Sequence, residues 1–305
     1  MGRLPPKQRL AITFIQLTNR GGPAATTGTR VGSMIKKLLT AVLVATATLL
    51  AGTVSVAGVA NADVIDVSPP GTNDWSCKPS AEHPNPVVLV HGTFENMLKN
   101  WLVLAPQLKA AGYCVFALNY GNDATKPIAQ SAQELAPFVD AVLGATGARK
   151  VDLVGHSQGG MMPRYYLKYL GGANKVGELI GISPSNHGTT NPLTIPTGYT
   201  ICPACLDQRA GSDFLTDLNG AGDLVAGPRY TVISTRWDEV VTPYQTQFLA
   251  GPASRVTNIT LQDKCPLDIF EHDQTPNDPV VAQWVINALD RTGPADPAFQ
   301  PYCGV

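Results

Sequence analysis

Charged residues and long apolar runs are both scarce in this chain. Of its 305 residues, 15% are charged and 44% are hydrophobic, which is typical of a globular protein with a sizeable core. The apolar run from Leu38 to Ala51 is interrupted by Thr and Gly. It falls short of the ~20 residues that a membrane-spanning helix needs, so we expect no permanent membrane anchor. The chain has no internal repeats or low-complexity tracts.

The N-terminal region has the pattern of a secretory signal peptide. Lys36 and Lys37 precede the apolar run, and Ala60-Asn61-Ala62 forms the small-x-small pattern that signal peptidase cleaves. We predict cleavage after Ala62, which leaves residues 63–305 as a secreted, extracellular protein. Residues 1–33 are basic without a clear period, which indicates either an over-long n-region or an upstream start that is not the natural one.

Acidic residues are absent from the first 62 positions, which hold seven of the 22 basic residues. The remaining 243 residues carry 15 basic and 23 acidic side chains, a formal net charge of −8. An acidic surface argues against nucleic acid as a partner and favours solubility outside the cell. We expect a monomer.

All six cysteines follow the predicted cleavage site, and an even number in an exported chain indicates three disulfides. Cys202 and Cys205 have the C-x-x-C spacing of redox and zinc sites. However, no second cysteine pair or paired histidines follow at zinc spacing, so we interpret this pair as a local staple in a loop. The other pairings stay open at this point, because six cysteines permit fifteen combinations.

Strand and helix patterns alternate along the chain, which predicts an α/β fold with a mostly parallel central sheet and helices on both faces. We predict one domain over residues 63–305. Between residues 183 and 228 the periodicity lapses, apart from a short helical piece near Phe214 to Leu218, and this segment is predicted to form a small cap. The predicted strands cover residues 86–90, 113–118, 150–154, 176–182, 230–234 and 256–261, and the predicted helices cover residues 101–111, 128–143, 158–170 and 279–289.

The apolar strand up to Val154 runs directly into Gly155-His156-Ser157-Gln158-Gly159, followed by a helical pattern. This is the nucleophile elbow, in which a serine lies on a strained strand-to-helix turn. The two glycines are needed because strand and helix approach closely. A bare Gly-x-Ser-x-Gly pattern is common, but here the flanking strand and helix supply the context that it requires. We therefore predict Ser157 as a nucleophile.

A serine nucleophile needs a base, and the base needs an acid to orient it, in the chain order Ser, acid, His for this architecture. Two histidines follow Ser157, and His272 lies after two further strands, so we predict it as general base. His187 follows a strand directly and is interpreted either as a cleft residue or as a surface or capping histidine.

The acid is expected in the loop after the strand that ends at Ser234. Asp238 is well placed there, and its neighbour Glu239 is the main rival. Poorer rivals lie in the cap, where no strand end fixes them: Asp213, Asp217 and Asp223.

Acyl transfer also needs hydrogen-bond donors for the oxyanion of the tetrahedral intermediate. We predict the backbone N–H groups of Thr93 and Gln158, with the Thr93 hydroxyl as a further donor. His91, just before Thr93, is interpreted as a loop organiser.

These motifs give the chain a resemblance to a known family. With Pro86 to Thr93, the elbow, Trp237 to Pro243 and Cys265 shortly before His272, the chain resembles the secreted bacterial triacylglycerol lipases of the α/β-hydrolase superfamily, and is similar to yeast lipase B. The resemblance covers most of residues 75–303. It implies a Ser157, Asp238 and His272 triad, an oxyanion hole of Thr93 and Gln158, and disulfides Cys77–Cys114 and Cys265–Cys303.

The predicted function is therefore a secreted serine carboxylic-ester hydrolase, and a triacylglycerol lipase is the preferred interpretation. Its ester or lipid substrate can lie at a lipid–water interface. It needs no metal or organic cofactor. The alternatives are a short-chain esterase or polyester hydrolase with the same triad, an extracellular acyltransferase, and a non-catalytic interaction protein on the same fold.

Overall fold

A computed structural model describes residues 66–191 and 201–304 of the chain. The signal peptide, its cleavage after Ala62 and residues 192–200 of the cap lie outside the described residues. The signal peptide and the domain boundary at residue 63 stay predictions.

Six parallel strands form one sheet in the order β2-β1-β3-β4-β5-β6. β2 lies at one edge of the sheet beside β1. β3 lies on the other side of β1, and β4, β5 and β6 follow in order toward the opposite edge. Because the strands are parallel, their carboxyl ends meet at one edge, where the loops after β1, β3, β5 and β6 come together. The strands are β1 Val87–Val90, β2 Val115–Leu118, β3 Val151–His156, β4 Val176–Ile182, β5 Arg229–Ser234 and β6 Val256–Thr260.

Helices cover both faces of the sheet, which confirms the predicted α/β fold class. Successive strand residues point to opposite faces, so Val88 and Val90 pack in one apolar core while Val87 and Leu89 pack in the other. The helices of the first core are Ile128–Thr146 and Gln158–Tyr169. Those of the second core are Met97–Trp101, Leu104–Ala110 and Pro279–Leu289. Shorter helices cover Pro203–Asp207, Asp213–Asn219 and Leu261–Lys264.

One predicted helix is wrong, because residues 101–111 do not form a single helix. Asn96 accepts a hydrogen bond from the Lys99 amide through its side chain at 2.9 Å and so begins a short helix before the predicted one. A second helix then starts at Leu104. Because Met97, Trp101, Leu104 and Leu108 are all buried, the apolar spacing continues across the break and hides it in the sequence.

Three disulfides join the described cysteines: Cys77–Cys114, Cys202–Cys205 and Cys265–Cys303. They include the two pairs implied by the family resemblance and the expected local staple, which lies at the start of the helix Pro203–Asp207 and not in a loop. The third disulfide ties the segment that precedes His272 to the C-terminal residues.

The glycines of the elbow allow a sharp mutational test of this packing. A Cβ at Gly155 would overlap the backbone carbonyl of Gly159, so we expect Gly155→Ala to prevent folding of the soluble protein. Gly144 lies in a helix with no atom near a built Cβ, so Gly144→Ala should stabilise the fold by about 0.5–1 kcal/mol. Soluble yield and thermal unfolding check both variants, and a well-folded Gly155→Ala protein would contradict the tight contact.

Candidate active site

Ser157 lies between β3 and the helix that begins at Gln158, with φ 54° and ψ −122°. A non-glycine residue in this region is strained, and the strain persists where the surroundings fix it. Here the Ser157 amide donates to the carbonyl of Ile182 at 2.9 Å. A Cβ at Gly159 would overlap the Val90 carbonyl, so the helix start packs directly on β1. The result is a serine presented at the carboxyl edge of the sheet.

Asp238 and His272 form a buried pair at the same edge. His272 Nδ1 lies 2.8 Å from Asp238 Oδ2, and the two side chains are 3% and 0% exposed. The Asp238 carboxylate also accepts from the amides of Val240 and Val241 at 2.9 and 2.7 Å and from the Gln247 side chain at 2.7 Å. Four hydrogen bonds therefore fix the carboxylate and, through it, the orientation of the imidazole.

Opposing effects act on the pKa of His272. Burial disfavours the charged imidazolium, but the Asp238 carboxylate outweighs it, with Asp273 and Glu271 adding to the effect. The pKa of His272 is therefore raised above its ordinary value of 6.5. A histidine in this state is a stronger base than free imidazole, and the neighbouring carboxylate stabilises the imidazolium that proton uptake would create.

Ser157 and His272 line one cavity of about 280 Å³. Thr93 and Gln208 belong to the same wall, and Gln208 comes from the cap. Gln208 Nε2 donates to the Thr93 hydroxyl at 2.9 Å, while Gln208 Oε1 accepts from the Ser185 hydroxyl at 2.8 Å. The cap is therefore hydrogen-bonded to the loop that follows β1.

Thr93 and Gln158, the two predicted oxyanion residues, lie close together: the Thr93 hydroxyl is 3.4 Å from Gln158 Oε1. Gln158 is the first residue of its helix, so its N–H has no carbonyl partner one turn earlier within that helix. The positive end of the helix dipole also lies there and favours negative charge. The arrangement is suited to stabilising an oxyanion beside Ser157.

An unusual left-handed turn is hydrogen-bonded to Gln158 and to Phe94, the neighbour of Thr93. Residues 121–124 all have positive φ, between 52° and 62°. The carbonyl of Asp123 accepts from the Phe94 amide at 2.8 Å, and that of Ala124 accepts from Gln158 Nε2 at 2.9 Å. Left-handed backbone is costly for residues other than glycine, so its use here beside the site indicates a positioning role.

His156, inside the elbow, is fully buried and links two loops of the site. Its Nε2 lies 3.0 Å from the backbone carbonyl of His272, and its Nδ1 lies 3.2 Å from the Asn100 side-chain nitrogen. Asn100 Oδ1 in turn accepts from the Gly92 amide at 2.9 Å. Burial, with His272 nearby, holds the pKa of His156 well below its ordinary value. A neutral His156 ring that donates through Nε2 and accepts through Nδ1 satisfies every hydrogen bond in this series.

The other predicted residues lie elsewhere. His187 does not line the described cavity but bonds to Asp223 at 3.0 Å and to the carbonyl of Thr246 at 2.9 Å. Asp223 also faces the buried Arg164 of the helix Gln158–Tyr169, so its charge is paired away from the cavity. His91 is buried, and its Nδ1 lies 2.8 Å from the Gly92 carbonyl. Three acidic alternatives are exposed: Glu239, Asp213 and Asp217.

Sequence reasoning missed four residues that contact the site. Asn100 and Gln208 position its loops, while Glu95 and Lys99 line the cavity. Asn100 lies just before the predicted helix 101–111, in the short helix Met97–Trp101 that the sequence did not predict, and Gln208 lies in the cap, where no periodicity helps. Only the i, i+4 spacing of Glu95 and Lys99 was visible as a signal.

Within residues 66–191 and 201–304, no three His, Cys, Asp or Glu side chains are grouped to hold a metal ion. In the same part of the chain, no helix has the length and apolarity to cross a membrane.

One protein family and several relatives match parts of the chain. The family described as Lipase (class 2) matches residues 84–285. Triacylglycerol lipases from Pseudarthrobacter phenanthrenivorans and Burkholderia plantarii are each 38% identical over 86 residues, 26% of this chain. The match spans about a quarter of those relatives, 27% and 24% of their lengths.

Among solved structures, lipase B of Aspergillus fumigatus superposes with a TM-score of 0.66 at 23% identity, covering 76% of this chain and 58% of that one. The mature Bacillus licheniformis lipase BlEst2 superposes with a TM-score of 0.57 at 16% identity, covering 69% of this chain and 94% of that one. At these identities the structural likeness establishes the shared fold.

Removing the Asn100 side chain should destabilise the protein, because it breaks the buried hydrogen bonds that link Gly92, Asn100 and His156. In Asn100→Ala the Gly92 amide and the His156 ring each lose a partner, so we expect a loss of about 1–3 kcal/mol per unsatisfied group in the free energy of unfolding. Asn277→Ala, which removes an exposed amide bonded to Gln274, should change it by less than about 0.5 kcal/mol. Equal stability of the two variants in denaturant titrations would contradict the role of Asn100.

Proposed function

Because the chain belongs to the class 2 lipase family, we propose that it is a secreted serine carboxylic-ester hydrolase, and specifically a triacylglycerol lipase. The observation that carries the proposal is the shared cavity. A serine on a strained turn and a histidine held by a buried carboxylate line the same small space. The family, the partial relatives named triacylglycerol lipases, and the three disulfides of an oxidising compartment support it.

In the proposed reaction, His272 accepts the hydroxyl proton of Ser157 as the serine oxygen attacks the ester carbonyl. Asp238 stabilises the resulting imidazolium and keeps the ring oriented. The carbonyl oxygen becomes an oxyanion, which the Thr93 and Gln158 amides and the Thr93 hydroxyl stabilise. Removing one such donor typically costs roughly 10²–10³ in rate.

The tetrahedral intermediate then collapses. His272 gives its proton to the leaving alkoxide, the alcohol departs, and the acyl group remains on the Ser157 oxygen. Water attacks this acyl-enzyme while His272 takes its proton, and the second collapse releases the carboxylic acid and restores Ser157. The cycle uses side chains and backbone amides of this chain throughout.

Exposed apolar side chains near the site support a lipid–water interface as the place of action. Phe94 lines the cavity and is 60% exposed. Trp237, next to Asp238, is 54% exposed, and Leu267 and Ile269, in the segment before His272, are 83% and 75% exposed. Apolar side chains presented at the edge that carries the site are suited to contact with an aggregated lipid.

A short-chain esterase or polyester hydrolase is the second candidate. The described cavity, at about 280 Å³, lies at the lower end of ligand pockets. A cavity of this size favours short acyl groups unless the chain extends beyond it. The two candidates share their chemistry and differ in the substrate that fits.

We expect the protein that starts at residue 63 to hydrolyse emulsified long-chain triacylglycerol and a soluble short-chain ester. Ser157→Ala should reduce both rates by roughly 10⁴–10⁶, because the reaction loses its nucleophile. Ser76→Ala, at an exposed hydroxyl bonded to Asp74, is the matched control and should retain activity.

Activity on the short ester alone would assign the esterase function. Undiminished turnover by Ser157→Ala would show that the proposed function is wrong.

The pH dependence should report the raised pKa of His272. The base must be neutral to accept a proton, and it becomes protonated as pH falls through its pKa. We therefore expect kcat/KM on a soluble ester to fall on the acid side with a midpoint above 6.5. Asp238→Asn removes the main cause of the increase, so its midpoint should be lower and its rate reduced by roughly 10⁴. A wild-type midpoint at or below the ordinary imidazole value would contradict this assignment.

A further inference from the structure

Three charged side chains line the cavity, and the hydrolytic cycle uses none of them: Glu95, Lys99 and Asp273. Asp273 follows His272 directly in the chain, and Glu95 comes two residues after Thr93. The rest of the wall includes the apolar side chains of Val240 and Val241. One cavity therefore combines an ion pair and a carboxylate with aliphatic surface.

Glu95 and Lys99 form an ion pair within this wall. Lys99 Nζ lies 2.5 Å from Glu95 Oε1, and the two residues are four apart at the start of the helix Met97–Trp101. The Glu95 side chain is 10% exposed, whereas that of Lys99 is 65% exposed. Burying a carboxylate is costly, and pairing with Lys99 offsets that cost. Burial raises the pKa of Glu95, and pairing with Lys99 acts against that increase. The helix Met97–Trp101 packs against the turn His272–Asn277, so the ion pair lies close to the base.

The chemistry of the leaving group makes this position meaningful. In ester hydrolysis the alcohol oxygen takes its proton from the general base, so the group attached to that oxygen lies beside His272. Asp273 adjoins His272 in the chain, and the turn that carries both packs against the helix that carries Lys99, with all three residues lining the cavity. The charged part of the wall therefore belongs to the alcohol side of the cavity.

An alkyl alcohol on this side would displace water from the ion pair without offering a hydrogen bond in its place. Binding would then cost the desolvation free energy of the charged groups. A hydroxyl group both donates and accepts, so it can donate to the Glu95 carboxylate and accept from the Lys99 ammonium. Hydrogen bonds to charged groups are among the stronger ones in proteins.

We propose that Glu95 and Lys99 form a subsite for free hydroxyl groups on the leaving alcohol, so that the enzyme prefers esters of polyols, such as partial glycerides, to esters of alkyl alcohols with the same acyl group. This proposal rests on the proposed ester-hydrolase function and names the class of substrate that its site selects. Asp273 contributes negative charge beside the same subsite.

The test compares glycerol monobutyrate with propyl butyrate. Both give the same butyryl-enzyme and differ by two hydroxyls on the leaving alcohol, so the ratio of their kcat/KM values reports the alcohol side of acylation. We expect the wild-type ratio to favour the glycerol ester. In Lys99→Met and in Glu95→Gln the ratio should fall by roughly tenfold or more, which is the effect of losing a hydrogen bond to a charged group.

Lys175→Met is the matched control, because it breaks an ion pair of the same length, Lys175–Asp140, that lies on the surface and is not part of the cavity wall. Its ratio should equal that of the wild type. Lys99 is mostly exposed, so Lys99→Met keeps the test decisive even where Glu95→Gln folds poorly. A wild-type preference for the propyl ester, or ratios within twofold in both variants, would overturn the subsite.

Ser157→Ala serves in parallel to separate two failures. Persistent hydrolysis of both esters by Ser157→Ala would refute the proposed function itself. Hydrolysis that depends on Ser157, with a ratio insensitive to Lys99 and Glu95, would refute the subsite alone.

Discussion

The close backbone contact between β3, β1 and the helix that begins at Gln158 is the constraint on which the site depends. Because Gly155 and Gly159 have no side chains, β3 contacts the Gly159 carbonyl in the first turn of this helix, and that turn contacts the Val90 carbonyl of β1. That approach forces Ser157 into its strained turn and places the start of the helix beside it. The proposed nucleophile and the proposed amide donor for the oxyanion thus depend on the same packing, and both move if the helix moves.

Protonation at this edge is decided by partners rather than by burial alone. His91, His156 and His272 are all buried within the described residues. Burial lowers the pKa of His91 to about 4 and holds that of His156 well below normal, whereas the bond to Asp238 raises that of His272. His156 and His91 therefore stay neutral and organise loops. The carboxylate selects His272 as the ring that can exchange a proton near neutral pH.

The sequence predicted the elements that depend on local pattern. Every predicted strand is present, because buried parallel strands are short apolar runs bounded by turns, and the elbow motif lies where strand meets helix. The helical break after Trp101 was missed because apolar spacing continues through it. Asn100 and Gln208 could not be recognised, because the tertiary fold brings their partners to them. Asn100 contacts Gly92 and His156, and Gln208 contacts Thr93. Chain order favoured Asp238 as the proposed acid, with Glu239 as its main rival and three cap aspartates as poorer ones. The two neighbours differ in burial: Asp238 contacts His272, while Glu239 is exposed.

The cavity is proposed to bind both an acyl chain and a polar alcohol, and the polarity of its wall assigns each to a different side. An acyl chain needs apolar surface, which Val240 and Val241 provide within the cavity and Phe94 provides at its exposed edge. The alcohol part of a partial glyceride carries free hydroxyl groups, and the ion pair of Glu95 and Lys99 matches those hydroxyls. An ester that enters with its acyl group toward the aliphatic side therefore brings its alcohol oxygen to His272. Orientation of the substrate then follows from desolvation: the reverse orientation buries the ion pair under a hydrocarbon chain and leaves hydroxyl groups against valine side chains.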